Sequence, residues 1–140
     1  MILRLSELRG GFMMNVWCEV FIISMIVPSL IFIAGRSWMV KPPKNINPIY
    51  GYRTMMSMKN ENTWIFAHKY IGRIWAVAGK IMLFGTLAVM ILVSKRSEDT
   101  ITNAAIVLLL IQTAVIVLSI IPTEIALRKK FDKYGILRQE

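Results

Sequence analysis

Three long apolar blocks, separated by strongly basic segments, organise the chain. The first runs from about residue 12 to 34 and holds one charge, Glu19. The second runs from about 74 to 93 and is interrupted only by Lys80, and the third, about 100 to 123, is uncharged. A helix needs roughly 20 consecutive apolar residues to cross a bilayer, and each block meets that length. Backbone polar groups find no water inside lipid, so each block must satisfy its own by coiling into a helix. The pattern therefore predicts an all-α integral membrane protein, a single domain over residues 1–140 with three transmembrane helices. The first block is long for a signal peptide and ends at Ala34-Gly35-Arg36-Ser37-Trp38 without a good small-x-small cleavage site, so it is expected to remain as a helix.

The segment between the first two blocks, residues 35–73, is the most structured of the connections. Pro42, Pro43 and Pro48 keep its first half extended. Next comes a turn centred on Gly51, flanked by Tyr50 and Tyr52 and followed by Arg53 and Thr54. Such tyrosines suit the headgroup layer, ring in the apolar boundary and hydroxyl in water. A helix is expected beyond Ser57, capped by Ser57 or Asn60, with Glu61 favouring its first turn. Trp64, Ile71 and Trp75 recur at spacings of seven and four to form an apolar stripe, while Asn62, Lys69 and Arg73 fall on another face that Lys80 prolongs. The pattern predicts an interfacial amphipathic helix that runs or bends into the second crossing. The Gly51–Thr54 turn with the Asn60–Arg73 helix is either an interfacially anchored loop or a docking surface, and periodicity does not separate the two. The short connection at 94–99 makes the second and third crossings a hairpin. The tail Glu124–Tyr134 is expected to continue the third helix to a stop at Gly135, with a kink at Pro122.

Composition sharpens this picture. Hydrophobic residues make up 56% of the chain and charged residues 18%, with a mean hydropathy of +0.56. The net charge of +9, from 17 basic and 8 acidic residues, does not indicate nucleic-acid binding, because the basic residues lie almost entirely between the apolar blocks. That placement fits loops against an anionic leaflet. Residues 35–73 hold Arg36, Lys41, Lys44, Arg53, Lys59, Lys69 and Arg73, and the tail 124–140 adds Arg128, Lys129, Lys130, Lys133 and Arg138. Three crossings put these twelve on one side, against Arg4, Arg9, Lys95 and Arg96 on the other. The positive-inside rule then places the N-terminus outside and the first loop and C-terminus in the cytoplasm.

Little in the sequence points to catalysis. One cysteine and one histidine supply no zinc-type ligand set, no cofactor is implied, and no nucleophile–base constellation is visible. Cys18 is expected as a small buried hydrophobe and His68 at the headgroup boundary. A charge at the centre of a membrane helix costs about 2.5–3.5 kcal/mol, so Glu19 is expected to reach the outer interface. Lys80 is expected to snorkel towards the cytoplasmic side and meet Glu124, with Arg73 as a second candidate partner for that carboxylate. The alternative function is a small multi-pass transporter or channel component, with Lys80, Glu19 and Glu124 lining a path between protomers of a homo-oligomer. The third block offers little polar lining for it.

The run Pro43-Lys44-Asn45-Ile46-Asn47-Pro48-Ile49-Tyr50-Gly51-Tyr52-Arg53-Thr54, then Ser57-Met58-Lys59-Asn60-Glu61-Asn62-Thr63-Trp64 and Ala67-His68-Lys69-Tyr70-Ile71-Gly72, closely resembles the signature of the SdpI/YfhL family of bacterial membrane proteins. The tail from Pro122 to Asp132 is similar to the family's end. Met55-Met56 stand where the family often has more polar residues. The resemblance implies a bacterial cell-membrane protein giving immunity to a secreted toxic peptide, and extends to tethering of a cytoplasmic regulator. The family's best-known member carries further transmembrane segments ahead of this module, so the resemblance speaks for immunity more directly than for signalling. Together with the charge reading, it leaves Tyr50, Gly51, Tyr52, Arg53, Thr54, Ser57, Asn60, Trp64, Arg73, Lys80 and Glu124 as the candidate interaction or structural determinants, not catalysts.

Overall fold

A computed structural model describes the backbone of residues 2–138 and the side chains of residues 15–138. The expected start of the first block near residue 12, and the side chains of Arg4 and Arg9, lie outside the described side chains. Four helices follow in order: α1 (Ile2–Val40), α2 (Glu61–Val93), α3 (Glu98–Leu118) and α4 (Ile120–Lys130). Three stretches are long and apolar enough to cross a membrane: Asn15–Val40, Glu61–Val93 and Glu98–Lys130, the last formed by α3 and α4 together.

Each helix end has a local cause. α1 outruns the expected end at residue 34 because Arg36 and Trp38 are compatible with helix. It stops at Val40, two residues before Pro42, where the proline ring disfavours helix in the residue ahead of it. α2 begins where Asn60 caps it: the Asn60 side chain accepts from the Thr63 N–H while the Thr63 hydroxyl accepts from the Asn60 N–H, a reciprocal capping box. The step between α3 and α4 falls at Ser119, one turn ahead of Pro122. A proline has no N–H for the carbonyl four residues back, here that of Leu118, which accounts for the position of the break.

Residues 61–73, expected as an interfacial helix, are the opening turns of α2 and join the crossing without interruption. Their apolar stripe faces protein: Trp64, Ala67, His68 and Ile71 are buried, whereas Asn62, Lys69 and Arg73 are exposed. The residues linking α1 to α2 are therefore 41–60, a shorter connection than the expected 35–73.

α1 and α2 cross antiparallel and very closely. A side chain at Gly72 would come within 2.7 Å of the Met39 backbone nitrogen, and one at Gly79 within 2.6 Å of that of Phe32. A Cβ on Gly35 would overlap the backbone nitrogen of Ala76. Small residues let helix backbones meet, which is how packing is gained in lipid, where apolar burial between helices offers little. Farther along, Gln112 of α3 is buried and its Nε2 donates to the Thr86 hydroxyl at 3.0 Å and the Ser24 carbonyl at 3.3 Å, joining all three spans. At the far end the Trp17 indole donates to the Met90 carbonyl at 2.8 Å. The outward faces carry Ile22, Ile33, Phe84, Leu92, Leu110 and Val117, all more than half exposed from the protein. A soluble protein does not present such a band, whereas a bilayer covers it.

Candidate functional site

The family-like residues gather at one end of the bundle, where the 41–60 connection folds over the start of α2 and the chain after α4 closes against it. Asn47 starts the turn by accepting from the N–H groups of Ile49 (3.1 Å) and Tyr50 (2.9 Å). Gly51 has a φ of 112°, a backbone conformation that L side chains rarely adopt. It also has no room: a Cβ there would overlap His68 Nε2 and stand 3.0 Å from the Trp64 ring.

His68 is the hinge of this arrangement. It is fully buried inside the head, so its ring faces protein. Its Nε2 accepts the Tyr52 N–H at 2.9 Å, and its Nδ1 lies 2.8 Å from the Trp64 carbonyl. The neutral imidazole with its proton on Nδ1 satisfies both bonds together. Trp38 meets the ring edge-on at 4.9 Å between centroids, and Trp64 packs tilted at 4.2 Å.

Tyr52 then reaches across the bundle. Its ring is buried with Met56, Ala67, Ile71, Leu127 and Phe131, and its hydroxyl donates to Glu124 Oε1 at 3.0 Å. Burial, reinforced by the Glu124 carboxylate, raises the Tyr52 pKa well above the ordinary tyrosine value. The partner of Glu124 is thus Tyr52, with Arg128 Nε 3.8 Å away on the same helix, in place of the expected Lys80 or Arg73. Those two cations instead line a groove between α1 and α2. Among the described residues neither forms an ion pair with Glu124.

Ser57 is buried and holds the turn from within, donating to the Tyr52 carbonyl at 2.8 Å and accepting the Thr54 N–H at 2.8 Å. Of the two expected caps, Asn60 is the one used, and its Nδ2 also donates to the Gly135 carbonyl at 2.8 Å. The tail is not helical to Tyr134. It leaves the helix after Lys130 because the Asp132 carboxylate accepts from the N–H groups of Tyr134 and Ile136, and Gly135 turns with a φ of 85°. Phe131 packs edge-on against Phe66 at 5.6 Å, and Lys130 lies over that ring at 4.7 Å.

Tyr52, Ser57, Asn60, Trp64 and Glu124 are therefore built into one closed head, with Gly51 and Thr54 shaping it. Ile49, Tyr50, Arg53 and Met55 project outward. Glu19 is exposed on α1 near the level of Trp17, and Cys18 is exposed beside it and not buried. Within one protomer Glu19, Lys80 and Glu124 make no contact with one another. Sequence reasoning missed the structural weight of His68 and the close approach at Gly35, Gly72 and Gly79. The small residues Gly72, Ala76 and Gly79, recurring at helical spacing, were the available signal for the latter. Among the described residues no group of three His, Cys, Asp or Glu side chains is placed to hold a metal.

Three apolar helices with a compact head at one end define a multi-pass helical membrane protein. Within that class the chain belongs to the SdpI/YfhL protein family, which it matches over residues 44–123, from the extended connection through α2 and α3 into α4. It is similar to the uncharacterized protein YfhL of Bacillus subtilis (strain 168), with 38% identity over 53 residues. That match covers 38% of this chain and 48% of the relative, about half its length. No solved structure matches.

Proposed function

We propose that the chain is an immunity protein of the bacterial cell membrane that protects the cell from a secreted toxic peptide. The carrying observation is the head itself. Residues that give the family likeness are spent on closing a small, internally bonded platform, and on its outside stand Arg53, Tyr50 and Ile49 with unsatisfied surface to offer. Exposed apolar, aromatic and basic side chains on a closed platform support a binding or organising surface. The excess of basic residues in the first connection and the tail, twelve against four on the other side, supports an orientation with the head at the cytoplasmic leaflet and the first turns of α2 at the membrane surface. There it contacts anionic lipid and is open to a cytoplasmic regulator.

Expression in a peptide-sensitive bacterial host tests the reading. Protection against a candidate peptide is expected, and Arg53→Ala is expected to abolish it at unchanged membrane levels. Absence of protection against every peptide, together with an ion flux in proteoliposomes, would sink the proposal in favour of a transporter. Orientation is read separately, by labelling Ser97→Cys in a Cys18→Ser background with an impermeant reagent on intact cells. Labelling is expected, and a cysteine reached only after lysis reverses the topology.

A further inference from the structure

Arg36, Arg73 and Lys80 remain unused by the head. All three are exposed, and among the described residues none forms an ion pair or a side-chain hydrogen bond. They line one groove of about 1100 Å³ between α1 and α2, and no carboxylate lines it with them. The rest of the wall is apolar and includes Phe21, Met25, Phe32 and Phe84.

The antiparallel crossing brings the charges together. Arg73 and Lys80 are seven residues apart on α2, roughly 10 Å along its axis. Gly35 packs against Trp75 and Ala76, which sets Arg36 of α1 at a level between them. Side chains lean towards the N-terminus of their own helix. Because the helices run in opposite directions, Lys80 leans towards the head and Arg36 leans away from it, so the two converge. Beyond Lys80 the groove continues to Leu87, about another 10 Å of apolar wall.

We propose that this groove binds one anionic phospholipid, its phosphate held between Arg36 and Lys80 with Arg73 at the head end of the groove, and an acyl chain laid along Phe32, Phe84 and Met25. Three unpaired cations at one end of an apolar trough match a headgroup followed by a chain, and basic pockets between transmembrane helices recognise such headgroups. The site also accounts for Lys80, whose charge lies within the second crossing: a bound phosphate neutralises it in place.

The test is native mass spectrometry of the full chain released from nanodiscs containing phosphatidylglycerol and phosphatidylcholine. One retained phosphatidylglycerol per protomer is expected, and inorganic phosphate is expected not to displace it. Each cation near an anionic headgroup gives about a fivefold preference, so Arg36→Gln, Arg73→Gln and Lys80→Gln together should weaken retention roughly a hundredfold. Neutralising Lys95 and Arg96, in the short connection at the opposite end of the bundle, should leave it unchanged. Val77→Trp fills the groove without removing a charge and should also expel the lipid, which guards against a misfolded triple variant. Equal retention of phosphatidylcholine, equal loss in the control variant, or a lipid that persists in Val77→Trp would each overturn the proposal.

Discussion

Gly51→Ala isolates the contribution of one turn to the head. The added methyl meets two obstacles, the positive φ of 112° and the His68 ring nitrogen. Placing an L side chain in left-handed backbone costs about 1–2 kcal/mol. Relieving the overlap separates Gly51–Tyr52 from His68, which strands the buried Tyr52 N–H at a further cost of about 1–3 kcal/mol. The head should therefore open more easily by about 2–5 kcal/mol, with the helical crossings unaffected. At a factor of ten per 1.4 kcal/mol, exchange of the Tyr52 amide should accelerate by roughly thirtyfold to a few thousandfold. Hydrogen exchange read by mass spectrometry in detergent or nanodiscs measures this. Gly85→Ala supplies the comparison, since nothing lies within 4 Å of a Cβ there and alanine is the better helix former. Wild-type exchange at Tyr52 in Gly51→Ala, or equal loosening in Gly85→Ala, would refute the account of the turn.

Tyr52→Phe removes a hydrogen bond to a carboxylate and should lower stability by about 1.5–3 kcal/mol in denaturant titration. Because the folded hydroxyl has a raised pKa, its contribution is complete below the ordinary tyrosine value near 10 and is lost as pH rises above it. Wild type should lose that margin in alkali and Tyr52→Phe should not. Asn60→Ala deletes both the helix cap and the bond to Gly135, for about 1–3 kcal/mol, and should make residues 131–138 the first site of limited proteolysis. Gly35→Val should force α1 from α2 and lengthen the distance between spin labels at the exposed positions Ile33 and Ile81, at a cost of about 1–3 kcal/mol or more. An unchanged distance distribution would contradict the close crossing.

The spans were legible because lipid imposes a demand that composition alone reveals, and Lys80 or Glu19 interrupts a block without shortening it. The face of α2 was legible too: the spacing of Trp64 and Ile71 identifies a buried stripe, and Asn62, Lys69 and Arg73 the open one. What covers the stripe was not, since a lipid surface and a protein neighbour favour the same residues. His68 shows the limit most clearly. Its burial depends on an amide sixteen positions earlier being turned towards it by Gly51. The tail differed for a similar reason: Lys129, Lys130 and Lys133 suit a helix, but the Asp132 side chain captures two backbone donors and ends it. Glu124 was recognised as returning to the head, while its partner was mistaken, because charge pairing is easier to infer from sequence than a tyrosine reaching over 72 positions.

The bond from Asn60 to Gly135 spans 75 positions, and this separation has a consequence for how the protein is made. Membrane crossings can insert and pair as they are synthesised, since α1 and α2 meet through neighbours in the chain. The head has no such freedom: it stays open until synthesis has passed Gly135, after every span has been laid down. During that interval the Tyr52 ring lacks the cover of Leu127 and Phe131, so closure of this end waits on synthesis of the segment after α4 and not on insertion alone. A nascent chain halted short of Gly135 would carry intact crossings and no finished platform.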